Sequence, residues 1–155
     1  MSSDYLDAET DLRLDPESAM PGPDREDHRT QLSAMRGRPQ IVSMNWKHAV
    51  LRVTPTGPGI GEREAFIIAR NVHDAFKQYG SRMRTFVLDL RNIRSVSSLG
   101  LGVCVDLRHA AKAAGAKSIV YFGGDSQLRE LFRMMRVDRL FTVARDEKAL
   151  DRLAR

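Results

Sequence analysis

One stretch decides the fold: Phe86-Val-Leu-Asp-Leu-Arg-Asn-Ile-Arg-Ser-Val-Ser-Ser-Leu-Gly-Leu-Gly102. Its first part, Phe86 to Leu90, is an apolar run that only Asp89 interrupts. A short apolar run bounded by polar residues is typical of a strand that is covered on both faces. The sequence therefore predicts a central buried strand here, with Asp89 near its end.

A helix is predicted directly after this strand and its connection. Apolar residues recur at helical spacing from Leu101 to Ala114, and Ser97 and Ser98 stand just before that pattern. Serine is favoured there because its hydroxyl accepts a hydrogen bond from a free N–H of the first turn. The positive end of the helix dipole also stabilises an anion. Two interpretations follow: the serines only cap the helix, or one of them holds a phosphate.

The same stretch resembles the STAS domain of bacterial anti-sigma-factor antagonists. The resemblance lies in V-L-D-L, then S-V-S-S-L-G-L-G-V, and then a helix that ends in A-A-G. The family's motif reads Asp-Ser-Ser/Thr-Gly-Leu-Gly, and a partner kinase phosphorylates its first serine. When the motif is aligned on Gly100-Leu101-Gly102, Ser98 falls on that serine. Ser97 then replaces the family's aspartate, and Leu99 replaces its second Ser/Thr.

The resemblance implies a regulatory role without a cofactor or enzymatic activity. The unmodified protein would bind an anti-sigma factor with a kinase-type ATPase fold and so release sigma. Phosphorylation at Ser98, with Ser97 as the less favoured site, would prevent that binding, and a phosphatase would reset the protein. The predicted partner surface comprises Ser97, Ser98, Leu99 and Gly100.

A second candidate surface lies on the third predicted helix. Arg129, Arg133 and Arg136 recur on adjacent turns and form a cationic stripe. A solvated helix face is its ordinary interpretation. The functional interpretation adds Arg129 and Arg133 to the partner-binding surface, as a docking edge for an acidic protein.

Charge is divided unevenly along the 155 residues. Residues 1–40 carry nine acidic residues against five Lys and Arg, whereas residues 41–155 carry twenty Lys and Arg against eleven acidic residues. Residues 1–40 also hold few large apolar side chains, so we expect an acidic and largely disordered tail there. The remaining length fits one domain, residues 41–155.

Strands and helices alternate in that domain. The predicted elements are, in order, strands over 41–46 and 49–53, a loop over 54–61, a helix over 62–79, the central strand and second helix, a strand over 118–122, a third helix, a strand over 140–143 and a helix over 146–153. The third helix is predicted to be capped by Asp125 or Ser126. Its inward-facing residues are predicted to be Leu128, Leu131, Phe132 and Met135. This order predicts an α/β fold. The resemblance likewise implies a single STAS-like domain, with helices packed against a mixed β-sheet.

Other functional classes find little support. The four histidines are far apart and have no Cys or carboxylate at a metal-ligand spacing, and Cys104 fits a small buried residue better than a nucleophile. Asp89 is interpreted either as a catalytic carboxylate or, more commonly, as a hydrogen-bonded residue at a strand end. No apolar run is long enough to span a bilayer, and no nucleic-acid motif accompanies the basic residues. Because the single cysteine, Cys104, rules out an internal disulfide and fits a reducing compartment, a cytoplasmic protein is expected.

Two alternatives to the regulatory role remain. Some STAS domains are constitutive scaffolds or accessory subunits of lipid transport, which would leave Ser98 unmodified. The serine turn and helix N-terminus could instead cradle a nucleotide phosphate, although the turn contains few glycines.

Overall fold

Seven strands and four helices make up the computed structural model, which describes residues 40–124 and 126–155. The strands are β1 (Val42–Lys47), β2 (Val50–Pro55), β3 (Gly59–Ile60), β4 (Thr85–Asp89), β5 (Ser95–Val96), β6 (Lys117–Tyr121) and β7 (Thr142–Ala144). The helices are α1 (Glu62–Tyr79), α2 (Ser98–Ala113), α3 (Ser126–Met134) and α4 (Glu147–Ala154). Short 3-10 turns occupy Gly80–Arg82 and Asp138–Leu140.

Five of the strands form one mixed sheet in the order β1-β2-β4-β6-β7. Strands β1 and β2 are antiparallel, and every other neighbouring pair in this sheet is parallel. All five residues of β4 are buried, which is expected for a strand inside a parallel sheet with helices on both faces. The structure thus confirms the predicted α/β fold with a mixed sheet and packed helices.

The two faces of the sheet are covered unequally. Phe86 and Leu88 of β4 belong to the main apolar core, together with buried residues of α1, α2 and α3. Val87 points to the opposite face and packs in a smaller cluster with Ile119 and with Leu150 of α4. Alternate residues of a strand face opposite sides, so three helices lie on one side and a single eight-residue helix lies on the other.

A second, two-stranded sheet lies outside the main one. Strand β3 pairs in parallel with β5, so that Gly59 lies opposite Ser95 and Ile60 opposite Val96. The prediction of a plain loop over residues 54–61 was therefore wrong at both ends, because β2 extends to Pro55 and β3 occupies Gly59–Ile60. This small sheet places the start of α1, which follows β3, beside the start of α2, which follows β5.

The remaining sequence predictions have mixed outcomes. Helix α1 has the predicted bounds, and Leu128 and Phe132 of α3 are buried as predicted. Met135 was predicted to face inward but is 58% exposed, because α3 ends at Met134, before it. The last strand begins two residues later than predicted. The predicted tail up to residue 39, residue 125 and the side chain of Ser126 lie outside the described part of the structure.

Candidate functional site

Ser97 is the N-cap of α2. Its backbone is extended, and its hydroxyl accepts a hydrogen bond from the N–H of Gly100 at 3.0 Å. The N–H of Ser97 in turn donates to the carbonyl oxygen of Ile60 at 2.9 Å. Both polar parts of Ser97 are thus used to hold the start of the helix in place.

Ser98 is the first helical residue and is exposed to solvent. Within the described residues, its hydroxyl has no hydrogen-bond partner, and neither its N–H nor that of Leu99 has an acceptor. The first turn of α2 therefore combines a free hydroxyl with two free N–H donors, at the positive end of the helix dipole. Of the two serines, only Ser98 offers a hydroxyl that is not already committed.

Leu99 and Gly102 extend the exposed surface next to Ser98. Leu99 is 52% exposed, so it adds apolar area to the surface beside Ser98. Gly102 is also exposed, and a Cβ atom built there would meet nothing within 4 Å. A neighbouring molecule could therefore approach the bare backbone of α2 closely at this position.

Gly100 has a different environment from Gly102. It is buried, and a Cβ atom on it would lie 2.8 Å from the carbonyl oxygen of Ile60 and 2.9 Å from a methyl carbon of Val96. The absence of a side chain lets α2 pack directly on the small β3–β5 sheet. Gly100 thus lies beneath the predicted partner surface and supports it.

Phe66 of α1 adds an apolar residue that the sequence analysis did not single out. It is 70% exposed and lies outside the buried stripe of α1. Helices α1 and α2 are joined by a 2.9 Å contact between Nε2 of His73 and Oδ2 of Asp106. Phe66 precedes His73 by seven residues, and Leu99 precedes Asp106 by seven. Since seven residues are about two helical turns, Phe66 and Leu99 lie at matching heights on the outer faces of the two helices.

The two candidate arginines of α3 are exposed but lie on another element. Arg133 is 3.9 Å from Glu130 of its own helix, and its side chain is 75% exposed. Within the described residues, neither Arg129 nor Arg133 makes a hydrogen bond or ion pair with the 97–102 segment. A hydrogen bond joins Ser97 to Gly100, and Ser98 lies between them in the first turn of α2, whereas the two arginines lie on a different helix.

Asp89 is the centre of a charged cluster on the α4 side of the sheet. It is 1% exposed, and its Oδ2 accepts hydrogen bonds from Nε and Nη2 of Arg52 at 3.0 and 2.6 Å. Nε of Arg91 lies 3.0 Å from both carboxylate oxygens, and Nη2 of Arg91 donates to Glu147 at 2.7 Å. The hydrogen bond to Asp89 raises the pKa of Arg91 above its usual range. The carboxylate of Asp89 is thus fully engaged, which favours a structural over a catalytic role.

Cys104 is buried inside α2, and burial raises the pKa of its thiol to about 12. A thiol that stays protonated at neutral pH is a poor nucleophile. Within residues 40–124 and 126–155, no group of three His, Cys, Asp or Glu side chains is arranged to hold a metal ion. The described helices are also too short or too polar for any of them to cross a membrane.

Comparison with known proteins gives likeness in structure alone. No family model matches the sequence, and no curated protein matches it. A protein of Thermotoga maritima assigned as an anti-sigma factor antagonist superposes with a TM-score of 0.62 at 17% identity, over 75% of this chain and 97% of that one. The phosphorylated form of SpoIIAA, a Bacillus cell fate determinant, superposes with a TM-score of 0.56 at 15% identity, over 72% of this chain and 98% of that one.

One of the structural neighbours is a transporter rather than an anti-sigma factor antagonist. The murine anion transporter Slc26a9 gives a TM-score of 0.56 at 14% identity, over 74% of this chain and 22% of the transporter. The likeness to anti-sigma factor antagonists confirms the fold that the sequence resemblance implied.

The contrast between the two glycines of α2 can be tested by alanine substitution. Gly100→Ala should lower the free energy of unfolding by about 1–3 kcal/mol, because its Cβ would overlap the backbone of Ile60. Gly102→Ala should raise it by about 0.5–1 kcal/mol, because alanine is the better helix former and nothing obstructs it. Urea unfolding measures both, and equal effects of the two substitutions would contradict the assigned packing.

The two serines should likewise differ in their contribution to stability. Ser97→Ala removes the cap and should lower the free energy of unfolding by about 1 kcal/mol. Ser98→Ala removes an exposed hydroxyl without a partner and should change it by less than about 0.5 kcal/mol. A larger loss for Ser98→Ala than for Ser97→Ala would mean that the cap is assigned to the wrong residue.

Proposed function

Because this chain has the fold of anti-sigma factor antagonists, we propose that it binds an anti-sigma factor through the start of α2 and that phosphorylation of Ser98 ends this binding. The observation that carries the proposal is the exposed, unpartnered hydroxyl of Ser98 beside a second serine that caps the helix. The proposed protein is a cytoplasmic transcription regulator without enzymatic activity of its own.

The proposed binding surface consists of Ser98, Leu99 and Gly102 of α2 and Phe66 of α1, and we refer to it as the helix-start surface. Its exposed leucine and phenylalanine supply apolar area, and aromatic side chains are the residues that most often dominate the energetics of protein interfaces. The open space above Gly102 lets the partner's backbone come close. Arg129 and Arg133 are proposed as a separate, more peripheral docking edge for acidic residues of the partner.

The proposed switch is electrostatic. A phosphate on Ser98 would add about −1.5 to −2 charges and three acceptor oxygens. In the free protein, the two unpaired N–H groups of the first turn and the helix dipole would stabilise it. In a complex, the same group would have to be desolvated or would meet the partner's carboxylates, which costs several kcal/mol. Since 1.4 kcal/mol is tenfold in affinity, this difference is sufficient to release the partner.

As the partner we propose an anti-sigma factor with a kinase-type ATPase fold, which is the class that the resemblance implies. This partner would also be the kinase, and a phosphatase would reverse the modification. Ser97, in place of the family's aspartate, brings no negative charge to the site, and its hydroxyl is already bonded to Gly100. A kinase acting here would therefore have to position the Ser98 hydroxyl with its own groups.

The switch can be tested with purified anti-sigma factors from the source organism. Ser98→Asp should weaken binding at least tenfold in isothermal titration calorimetry, because it places a charge inside the interface. The asparagine in Ser98→Asn has almost the same shape as aspartate but no charge. The affinity of this variant should therefore stay within a few-fold of that of the unaltered protein. With ATP and the bound anti-sigma factor, phosphopeptide mapping should find the phosphate on Ser98.

Several outcomes would contradict this part of the proposal. Equal affinity of the Asp and Asn variants would remove the switch, and modification of Ser97 would move it to the capping residue. Absence of binding to every anti-sigma factor of the organism would remove the partner class itself.

The extent of the helix-start surface is a separate prediction. Phe66→Ser should weaken partner binding tenfold or more, because a 70% exposed aromatic side chain loses its apolar contact in the complex. The free energy of unfolding of this variant should stay within about 0.5 kcal/mol of that of the unaltered protein, since the Phe66 side chain makes little contact in the free protein. Met44→Ser, at a 40% exposed apolar residue of β1, is the matched control and should leave affinity unchanged. Equal losses for both variants would argue against this surface.

A constitutive scaffold remains the second candidate, favoured by the likeness to the anion transporter Slc26a9. In that case, the protein would be recovered from its own cells in a membrane-attached complex. Mass spectrometry would then find Ser98 unmodified under all growth conditions, whereas the regulatory role predicts a phosphorylated fraction.

A further inference from the structure

A groove on the α4 side of the sheet is unused by the proposed function. It has a volume of about 650 Å³ and lies between α4 and the strands β1 and β2. Its floor is apolar and includes Val50, Val87 and Leu150, of which the last two are almost fully buried. Volumes of about 300–1,000 Å³ are typical of small-molecule sites. The groove exists because the single helix on this face leaves part of the sheet uncovered.

Hydrogen-bond donors and cations line the groove next to this floor. Asn45, Lys47, His48 and Arg52 contribute from β1, β2 and their turn, and Asn45 lies directly opposite Arg52 in the strand register. Asp151 is the one carboxylate side chain among the lining residues, and Arg155 adds a further cation. We propose that this groove binds an aliphatic monocarboxylate, with its carboxylate on Lys47 and Arg52 and its chain along the apolar floor.

Arg52 is held in a fixed position for such a contact. Its Nε and Nη2 both donate to the buried Asp89, and its side chain remains 31% exposed. Among the described residues, its Nη1 makes no hydrogen bond. Because the guanidinium presents several donors in a rigid plane, one edge can bind Asp89 while another binds a ligand carboxylate.

The charge of the groove matches one negative charge rather than two. Arg52 and Arg91 are offset by Asp89 and Glu147, which lie in the same cluster. In the part of the chain that the structure describes, neither Lys47 nor Arg155 makes an ion pair, and Asp151 offsets one of their two charges, which leaves one. A dianion such as a phosphate monoester would also be repelled by Asp151, which lines the opposite wall. A monocarboxylate fits this balance, and the apolar floor requires that it carry a chain.

The turn at the rim of the groove has a backbone conformation that its two residues disfavour. His48 and Ala49 have φ angles of 51° and 64° and form the two-residue turn between β1 and β2. Such turns favour Asn-Gly, because other residues are strained in the left-handed region. Strained residues are often found at functional sites. Here the strained turn places the side chain of His48 among the residues that line the groove.

Octanoate is the probe for this site. Titrated into the ¹⁵N-labelled protein, it should cause saturable shifts of the amide signals of Lys47, Arg52 and Val87. Acetate, which lacks the chain, and octan-1-ol, which lacks the charge, should each bind at least tenfold more weakly. Octyl phosphate should also bind more weakly than octanoate because of its second charge.

Two exposed residues give variants with opposite expected effects. Lys47→Gln should weaken octanoate binding three- to tenfold, and Asp151→Asn should strengthen it by a similar factor. Lys117→Gln, at an exposed lysine that does not line the groove, is the control and should change nothing. The double variant His48→Asn with Ala49→Gly should be more stable than the unaltered protein, because Asn-Gly is preferred in such a turn. It should bind octanoate more weakly, because it removes the His48 side chain from the lining of the groove.

The proposal is overturned if octan-1-ol binds as tightly as octanoate, if octyl phosphate binds more tightly, or if Lys47→Gln and Asp151→Asn leave the affinity unchanged. Shifts confined to the helix-start surface would also overturn it. None of these results bears on the anti-sigma factor proposal, which concerns the other face of the sheet.

Discussion

The contact between the backbone of Ile60 and the start of α2 is the constraint on which the candidate site depends. The carbonyl oxygen of Ile60 accepts the N–H of Ser97 and also lies directly over Gly100. Because Ile60 is followed after one residue by α1, this single carbonyl ties the beginnings of two helices together. Phe66 of α1 and Ser98 of α2 therefore both lie near the starts of helices that this contact holds together.

The segment between β4 and α2 is held at its other end, at Asp89, by ion pairs. Strand β4 ends at Asp89, whose oxygens bind Arg52 of the neighbouring strand and Arg91 of the following turn. A buried carboxylate is tolerable only when it is paired and hydrogen-bonded, and here two guanidinium groups satisfy it. The segment that leads to Ser97 is therefore anchored by an ionic cluster at one end and by a backbone contact at the other, which holds the backbone at the start of α2 in place.

The sequence predicted the features that local pattern determines. Helix α1 follows from a regular apolar stripe that ends at Gly80, and the burial of β4 follows from a continuous apolar run. The β3–β5 pairing could not be predicted, because two residues of strand on each side leave no periodic pattern, and the pairing depends on contacts distant in sequence. The partners of Asp89 were missed for the same reason. Phe66, by contrast, had a signal: a phenylalanine outside the apolar stripe of an amphipathic helix must be exposed.

The departures from the family's motif acquire a physical meaning in this structure. The start of a helix leaves four backbone N–H groups free, and Ser97 accepts from one of them, that of Gly100, at the position where the motif that this stretch resembles has aspartate. The next hydroxyl is then not needed for the fold and remains exposed. Leu99, at the position of a second hydroxyl, enlarges the apolar area beside it. Compared with the motif that it resembles, the start of α2 keeps a helix cap but is less acidic and more apolar. Under the proposed function, it would bind through apolar contact and respond to a charge introduced at Ser98.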